Sequence, residues 1–101
     1  MVIKITSVEQ FDELINKNKV LVDFYADWCP PCRMIAPILE DVAKEVNNGV
    51  VIAKVDVDAH GSIAGRYNIF SIPTMILFEK GKEVRKQVGI LPKDRLIAFI
   101  G

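Results

Sequence analysis

Cysteine occurs twice in this chain, at Cys29 and Cys32, within the run "ADWCPPCRM" (26–34) and directly after the single tryptophan, Trp28. Two thiols three positions apart admit three chemistries: a structural disulfide, part of a tetrahedral metal site, or a redox pair. A bridge across so short a loop is a poor staple, because closure entropy grows with loop length, and two cysteines are too few for a disulfide-framed secreted scaffold. A structural zinc site takes four ligands, usually Cys or His. Beyond the two thiols only His60 remains, near the start of another predicted helix, where it reads as a solvated surface residue; no metal is expected. The redox reading gains from position. Cys29 follows an apolar strand pattern and opens a helical one, so it should be the N-cap, its sulfur facing free backbone N–H groups and the positive end of the helix dipole. Both favour thiolate over thiol and make Cys29 the nucleophile. Cys32, about one turn on, can approach it and reads as the more buried, less reactive sulfur that resolves a mixed disulfide.

Asp23 is an anomaly of another kind, a carboxylate inside the otherwise apolar run "VLVDFYA" (20–26). Such a group is costly unless paired, protonated or useful. Either it reaches water at a strand end, or it is a buried acid with a raised pKa behind the cysteines. Lys54, in "VVIAKVDVD" (50–58), reads by itself as a strand lysine whose stem snorkels outward.

The elements that must position these groups follow from periodicity. "VIKI" (2–5) alternates as a short strand. Ser7 and Gln10 form a capping box for a helix with the apolar stripe Val8, Phe11, Leu14 and Ile15, ending near Asn16–Asn18. "VLVDFYA" reads as a central strand buried on both faces. A long helix runs from Cys29 to about Asn47, with Ile35, Ile38, Leu39, Val42 and Val46 inward and "NNG" (47–49) as its stop. Residues 50–58 form a second buried strand, and Asp58 is placed to cap a short helix reaching Tyr67, with Asn68 as a left-handed stop. "TMILFEKGKEVRKQVG" (74–89) is a hairpin turning at Lys80–Lys82 through Gly81, and Pro92 opens a last helix to Ile100. The order βαβαβαββα implies an α/β fold, a mixed sheet with helices on both faces.

The chain has 101 residues, half of them apolar, with thirteen Lys plus Arg against thirteen Asp plus Glu. That suits one globular domain over 1–101. A zero balance argues against nucleic acid as a partner. No apolar run approaches the length of a transmembrane helix, so no membrane is expected. The opening "MVIKITSVEQF" lacks the features of a signal peptide, so the default expectation is cytoplasmic.

With these positions in hand, "VDFYADWCPPCRMIAPILE" resembles the active-site segment of the thioredoxin family, and "FSIPTMILFEKGKEV" resembles its second signature. The likeness covers essentially the whole chain, with Asp23, Pro37, Ile72-Pro73-Thr74 and Gly89 at matching intervals. It implies five strands in the order 1-3-2-4-5 with four helices, no cofactor, and a monomer. It also implies a protein disulfide reductase, recharged by thioredoxin reductase and acting on disulfide-containing substrate proteins. Asp23 would act through water as general base for Cys32, with Lys54 as its partner. Pro73 would follow a cis peptide bond, setting the Ile72 backbone to pair with an extended substrate and keeping metal from the sulfurs. Pro37 would kink the helix, since it cannot bond the carbonyl of Arg33. Trp28, Pro30, Pro31, Ile72, Val88, Gly89 and Ile90 would form the contact patch around Cys29, Gly89 letting a partner backbone come close. Packing within the strand and loop is the competing reading of Val88 and Ile90. Phe70 stands where the family usually carries a polar residue and would enlarge the patch; Met34 reads as core or rim packing.

One departure bears on the chemistry. The family typically has Gly-Pro between its cysteines, and this chain has Pro30-Pro31. Proline suits the first helical position and pushes Cys29 toward the extended geometry of a cap. Neither proline donates, so Cys32 N–H and its thiol are the chief donors to the Cys29 sulfur. The loss specific to Pro30 should be small. The potential should lie at or slightly above the thioredoxin value of about −270 mV, below the glutaredoxin range of about −200 to −230 mV. Tyr25 in place of the commoner Trp, and Leu91 leaving the last helix without a polar cap, are lesser departures. Two other readings remain at this stage: a disulfide oxidant or isomerase of an oxidising compartment, and a thioredoxin-like binding module without turnover.

Overall fold

The computed structural model describes residues 1–46 and 49–101. Its elements are β1 (Val2–Lys4), α1 (Val8–Lys17), β2 (Lys19–Tyr25), α2 (Pro30–Glu45), β3 (Val50–Asp56), α3 (Gly61–Arg66), β4 (Thr74–Glu79), β5 (Lys82–Val88) and α4 (Lys93–Ile100). They build a five-stranded sheet in the order β1-β3-β2-β4-β5. Strand β3 pairs in parallel with β1 and β2, while β4 runs antiparallel to β2 and β5 antiparallel to β4. The mixed sheet of the expected α/β fold is therefore present, with its four helices.

Strand periodicity sorts the core into two layers. Val20, Val22 and Phe24 of β2, Ala53 and Val55 of β3, and Ile76 and Phe78 of β4 join Phe11 and Ile15 of α1 and Ile63 of α3 in one cluster. The alternate residues Leu21, Ile52, Met75 and Leu77 join Ile35, Leu39 and Val42 of α2 and Leu96 and Ile100 of α4 in the other. Parity then places Asp23 and Tyr25, two and four residues beyond Leu21, on the α2 side of the sheet. Lys54, two beyond Ile52, belongs to the same side.

Local chemistry explains most of the boundaries. Ser7 caps α1 by accepting the Gln10 N–H at 3.0 Å, but Gln10 Oε1 reaches back to the Thr6 N–H at 2.6 Å, one residue earlier than a standard capping box. Helix α2 ends at Glu45, and the Val46 N–H donates to Val42 O at 2.8 Å. The stop expected from Asn47-Asn48-Gly49 falls largely outside the described residues. The hairpin turn is tighter than expected: Glu79 pairs with Lys82, so Lys80 (φ 53) and Gly81 (φ 79) alone make it, as a two-residue turn with both centres left-handed requires. Gly81 N–H also donates to Ile15 O at 2.9 Å, docking the turn on the end of α1.

Five expectations are corrected here. Asp58 does not cap α3; His60 is its N-cap, with no side-chain bond, and is half-buried rather than fully solvated. Asp56 Oδ1 instead accepts the N–H groups of Asp58 (2.9 Å) and Ala59 (3.4 Å), which ends β3 before residue 58. Pro92 is the N-cap of α4, one place ahead of its expected first helical position. Met34 is 65% exposed, which excludes the core half of its expected core-or-rim packing.

Candidate active site

Strands β2 and β3 end at the same edge of the sheet, and α2 starts there after a four-residue connection from β2. Cys29 is the N-cap of α2 with extended φ and ψ of −89° and 110°, and its Sγ accepts the Cys32 N–H at 3.3 Å. Pro30 and Pro31 occupy the first two helical positions and are exposed. Helix α2 continues through Pro37, which sits on its exposed face. The two cysteines are joined as a disulfide, with their Cα atoms 5.2 Å apart. Metal-competent clusters of three or more His, Cys, Asp or Glu are absent among the described residues.

Cys32 was expected to be the more buried sulfur; both cysteines are 3% exposed. What separates them is the side each faces. Cys29 Sγ lies 3.8 Å from the Ile72 carbonyl oxygen, beside the loop that precedes β4. Cys32 lines a pocket of ≈ 240 Å³ with Asp23, Tyr25, Arg33, Glu40 and Lys54, and Cys29 does not. The helical turn between them places one sulfur toward the surface loop and the other toward the sheet.

Asp23 is not an exposed strand-end carboxylate. It is 3% exposed, and its Oδ1 has no hydrogen-bond partner in the protein. Burial pushes its pKa from 3.8 up to about 7, against the opposing charge of Lys54. Lys54 is Asp23's partner in the β2–β3 register, so the two expected partners are neighbours. No Lys54 ion pair forms among the described residues; its Nζ lies 5.2 Å from the centre of the Tyr25 ring instead. Burial raises the Tyr25 phenol as well, helped by Asp56, Asp27 and Asp23.

Around Cys29 the surface is apolar. Trp28 is 65% exposed, and Val88 and Ile90 are exposed rather than packed within their strand and loop. Ile72 is half-buried against the cysteines, and the Ile72–Pro73 peptide is cis. Gly89 follows β5 at φ 93°, its N–H donating to Pro73 O at 2.9 Å, with open space where a Cβ would stand. Phe70, two residues before Ile72, is 92% exposed. The structure also shows an anchor that the sequence reading missed: Trp28 Nε1 donates to Asp58 at 2.8 Å. Its signal was topological, since parallel neighbours β2 and β3 must deliver the residues after them to one edge. Arg33 was missed too; its Nη1 donates to the Asp27 carbonyl at 2.9 Å, tying α2 to the turn before it.

Comparison with known proteins agrees with this arrangement. The family model described as Thioredoxin matches residues 2–101. The chain is 47% identical over 98 residues to a thioredoxin of Chlamydia caviae, covering 97% of this chain and 95% of that one. It is 45% identical over 96 residues to a bifunctional thioredoxin reductase/thioredoxin of Mycobacterium leprae, covering 94% of this chain and 21% of that protein. A solved structure of Plasmodium falciparum thioredoxin superposes with a TM-score of 0.90 at 37% identity, over 98% of this chain and 96% of that one.

Proposed function

The chain belongs to the thioredoxin family and is a thiol–disulfide oxidoreductase, and we propose that its residues divide the reaction as follows. In the reduced protein the Cys29 thiolate attacks one sulfur of a substrate disulfide. A mixed disulfide forms and the other substrate sulfur leaves as a thiolate. Cys32 gives its proton through water in the pocket to ionised Asp23, and its thiolate attacks Cys29 Sγ. The mixed disulfide breaks, the second substrate sulfur leaves, and Cys29–Cys32 is the oxidised product. The substrate gains two electrons, and two protons from Asp23 and solvent complete its thiols.

The observation that carries this reading is the disulfide at the start of α2 with Asp23 in the pocket on the Cys32 side. Trp28, Pro30, Pro31, Ile72, Val88, Gly89 and Ile90 are the surface on which the substrate segment lies, with Pro73 buried behind Ile72. No helix among the described residues is long and apolar enough to cross a membrane. A dithiol reductant works where thiols are kept reduced, which supports a cytoplasmic location, and one family model spanning residues 2–101 supports a single domain, read here as a monomer. Recharging needs a donor of two electrons, and the fused reductase of the Mycobacterium leprae relative supports a thioredoxin reductase in that role.

Trapping tests the division of labour. Cys32→Ser should accumulate covalent complexes with disulfide substrates that dithiothreitol releases, and Cys29→Ser should accumulate none. Equal trapping by both variants would overturn the assignment. A double-serine variant that kept full activity would replace turnover by simple binding.

A further inference from the structure

Asp23 and Lys54 stand side by side in the parallel β2–β3 pair, on the face covered by α2. An ammonium so near an unpartnered buried carboxylate oxygen would be expected to close an ion pair. The ion pairs of the described residues are Lys17–Glu13, Arg66–Asp12 and Lys93–Glu45, and this one is not among them. Lys54 Nζ is 5.2 Å from the Tyr25 ring centre instead, inside the range of about 6 Å over which a ring face attracts a cation. Tyr25 is two residues beyond Asp23 on the same strand, so its ring rises from the same face as the carboxylate.

We propose that Tyr25 is a positioning residue for the step assisted by Asp23: its ring holds the Lys54 ammonium to one side of the carboxylate and so limits how far that charge favours ionisation. This rests on the reading of Asp23 given above and adds a residue that acts through Lys54, although it packs in one buried cluster with Cys29 and Cys32. The alternative holders of Lys54 are identifiable. Asp27 from the turn before α2 and Glu40 from α2 share its pocket, with Arg33 as the second cation; Cys32 also lines it but is held in the disulfide. Asp56 lies beside Tyr25 in the register, but its Oδ1 is occupied by two backbone N–H groups. Replacing only the ring separates its hold from that of the carboxylates.

The test is a carbon-13 titration of the Asp23 carboxyl in the oxidised protein, which needs no turnover. The unaltered protein should titrate near pH 7. Tyr25→Phe keeps the ring face and should titrate with it. Tyr25→Leu frees Lys54 to approach Asp23 and should titrate about one pH unit lower, as a nearer opposite charge does. In a Lys54→Met background the same leucine substitution should produce no shift. A Tyr25→Leu midpoint equal to that of the unaltered protein would overturn the proposal. So would a shift that persists without Lys54, or a Tyr25→Phe shift as large as that of leucine. Should the leucine variant not fold, the unaltered protein decides: cross-relaxation between Lys54 ε-protons and Tyr25 ring protons supports the contact, and its absence overturns it. The pH midpoint of mixed-disulfide resolution should move with the carboxyl titration. If the carboxyl moves and the kinetics do not, Tyr25 does position Lys54, and the general-base reading of Asp23 is what fails.

Discussion

A carboxyl that titrates near 7 is half ionised at neutral pH, which suits a group that must accept a proton and then release it. Asp23→Asn removes the acceptor while keeping the shape. Resolution of the mixed disulfide should slow by about a hundredfold or more near pH 7, measured by single-turnover quench with alkylation, while attack by Cys29 changes little. An unchanged resolution rate would remove Asp23 from the mechanism. Asp23 was legible in the sequence because a charge in an apolar run has few explanations. The cysteines were legible in identity and capping, but not in exposure: helical spacing says that two sulfurs meet, and only packing says what else each one faces. The prolines belong to the same scale. Pro31 removes a donor with or without its neighbour, and the first helical N–H points less directly at the cap. Pro30→Gly should therefore change the equilibrium potential by less than about 30 mV, the equivalent of about 1.4 kcal/mol for this couple, read in defined thiol–disulfide buffers.

Among the elements, those fixed by side-chain chemistry near in sequence were the readable ones. The Ser7 cap, the buried run of β2 and the apolar stripe of α2 all stand where periodicity and capping put them. Boundaries failed where a more distant partner competed. Asp58 is a good helix cap by type, but the Trp28 indole takes it and Asp56 does the turning. The hairpin shows the same dependence on tertiary contact, because its turn is also a docking point for α1. Gly81 has φ 79°, and a Cβ there would press on the Asn16 side-chain oxygen, whose amide is itself held by Asp12 O at 2.8 Å. Gly81→Ala should destabilise the protein by roughly 1–2 kcal/mol from the left-handed backbone alone. Ser7→Ala, which removes a single cap bond, should cost about 1 kcal/mol. Urea unfolding at fixed pH measures both, and a neutral Gly81→Ala would mean that the turn relaxes away from α1.

For the molecule as a whole, the strand order followed from the family likeness, and the division of the core into two layers follows from the alternation of β2, β3 and β4 once that order is known. The global consequence of burying Asp23 is a dependence of stability on pH. The folded carboxyl holds its proton up to about 7, whereas the unfolded one loses it near 3.8. Between those values the folded state binds more protons than the unfolded state, so stability falls as pH rises. The stabilising contribution is complete below about 3.8 and lost on passing 7, an interval worth roughly 4 kcal/mol at about 1.4 kcal/mol per unit. Asp23→Asn should flatten that slope, leaving the variant more stable than the parent at pH 8 and little different at pH 4, by urea unfolding at each pH. The orientation of the two cysteines has a last consequence at this scale. Cys29 abuts the loop at Ile72, while the pocket that holds the acid is walled by Cys32. On the proposed division of labour, electrons would enter and leave through one door and the proton through another, with the disulfide as the partition between them. A bulky client seated over Trp28 leaves the proton's exit uncovered, so large and small clients should share one pH profile for the resolving step even where their rates differ widely.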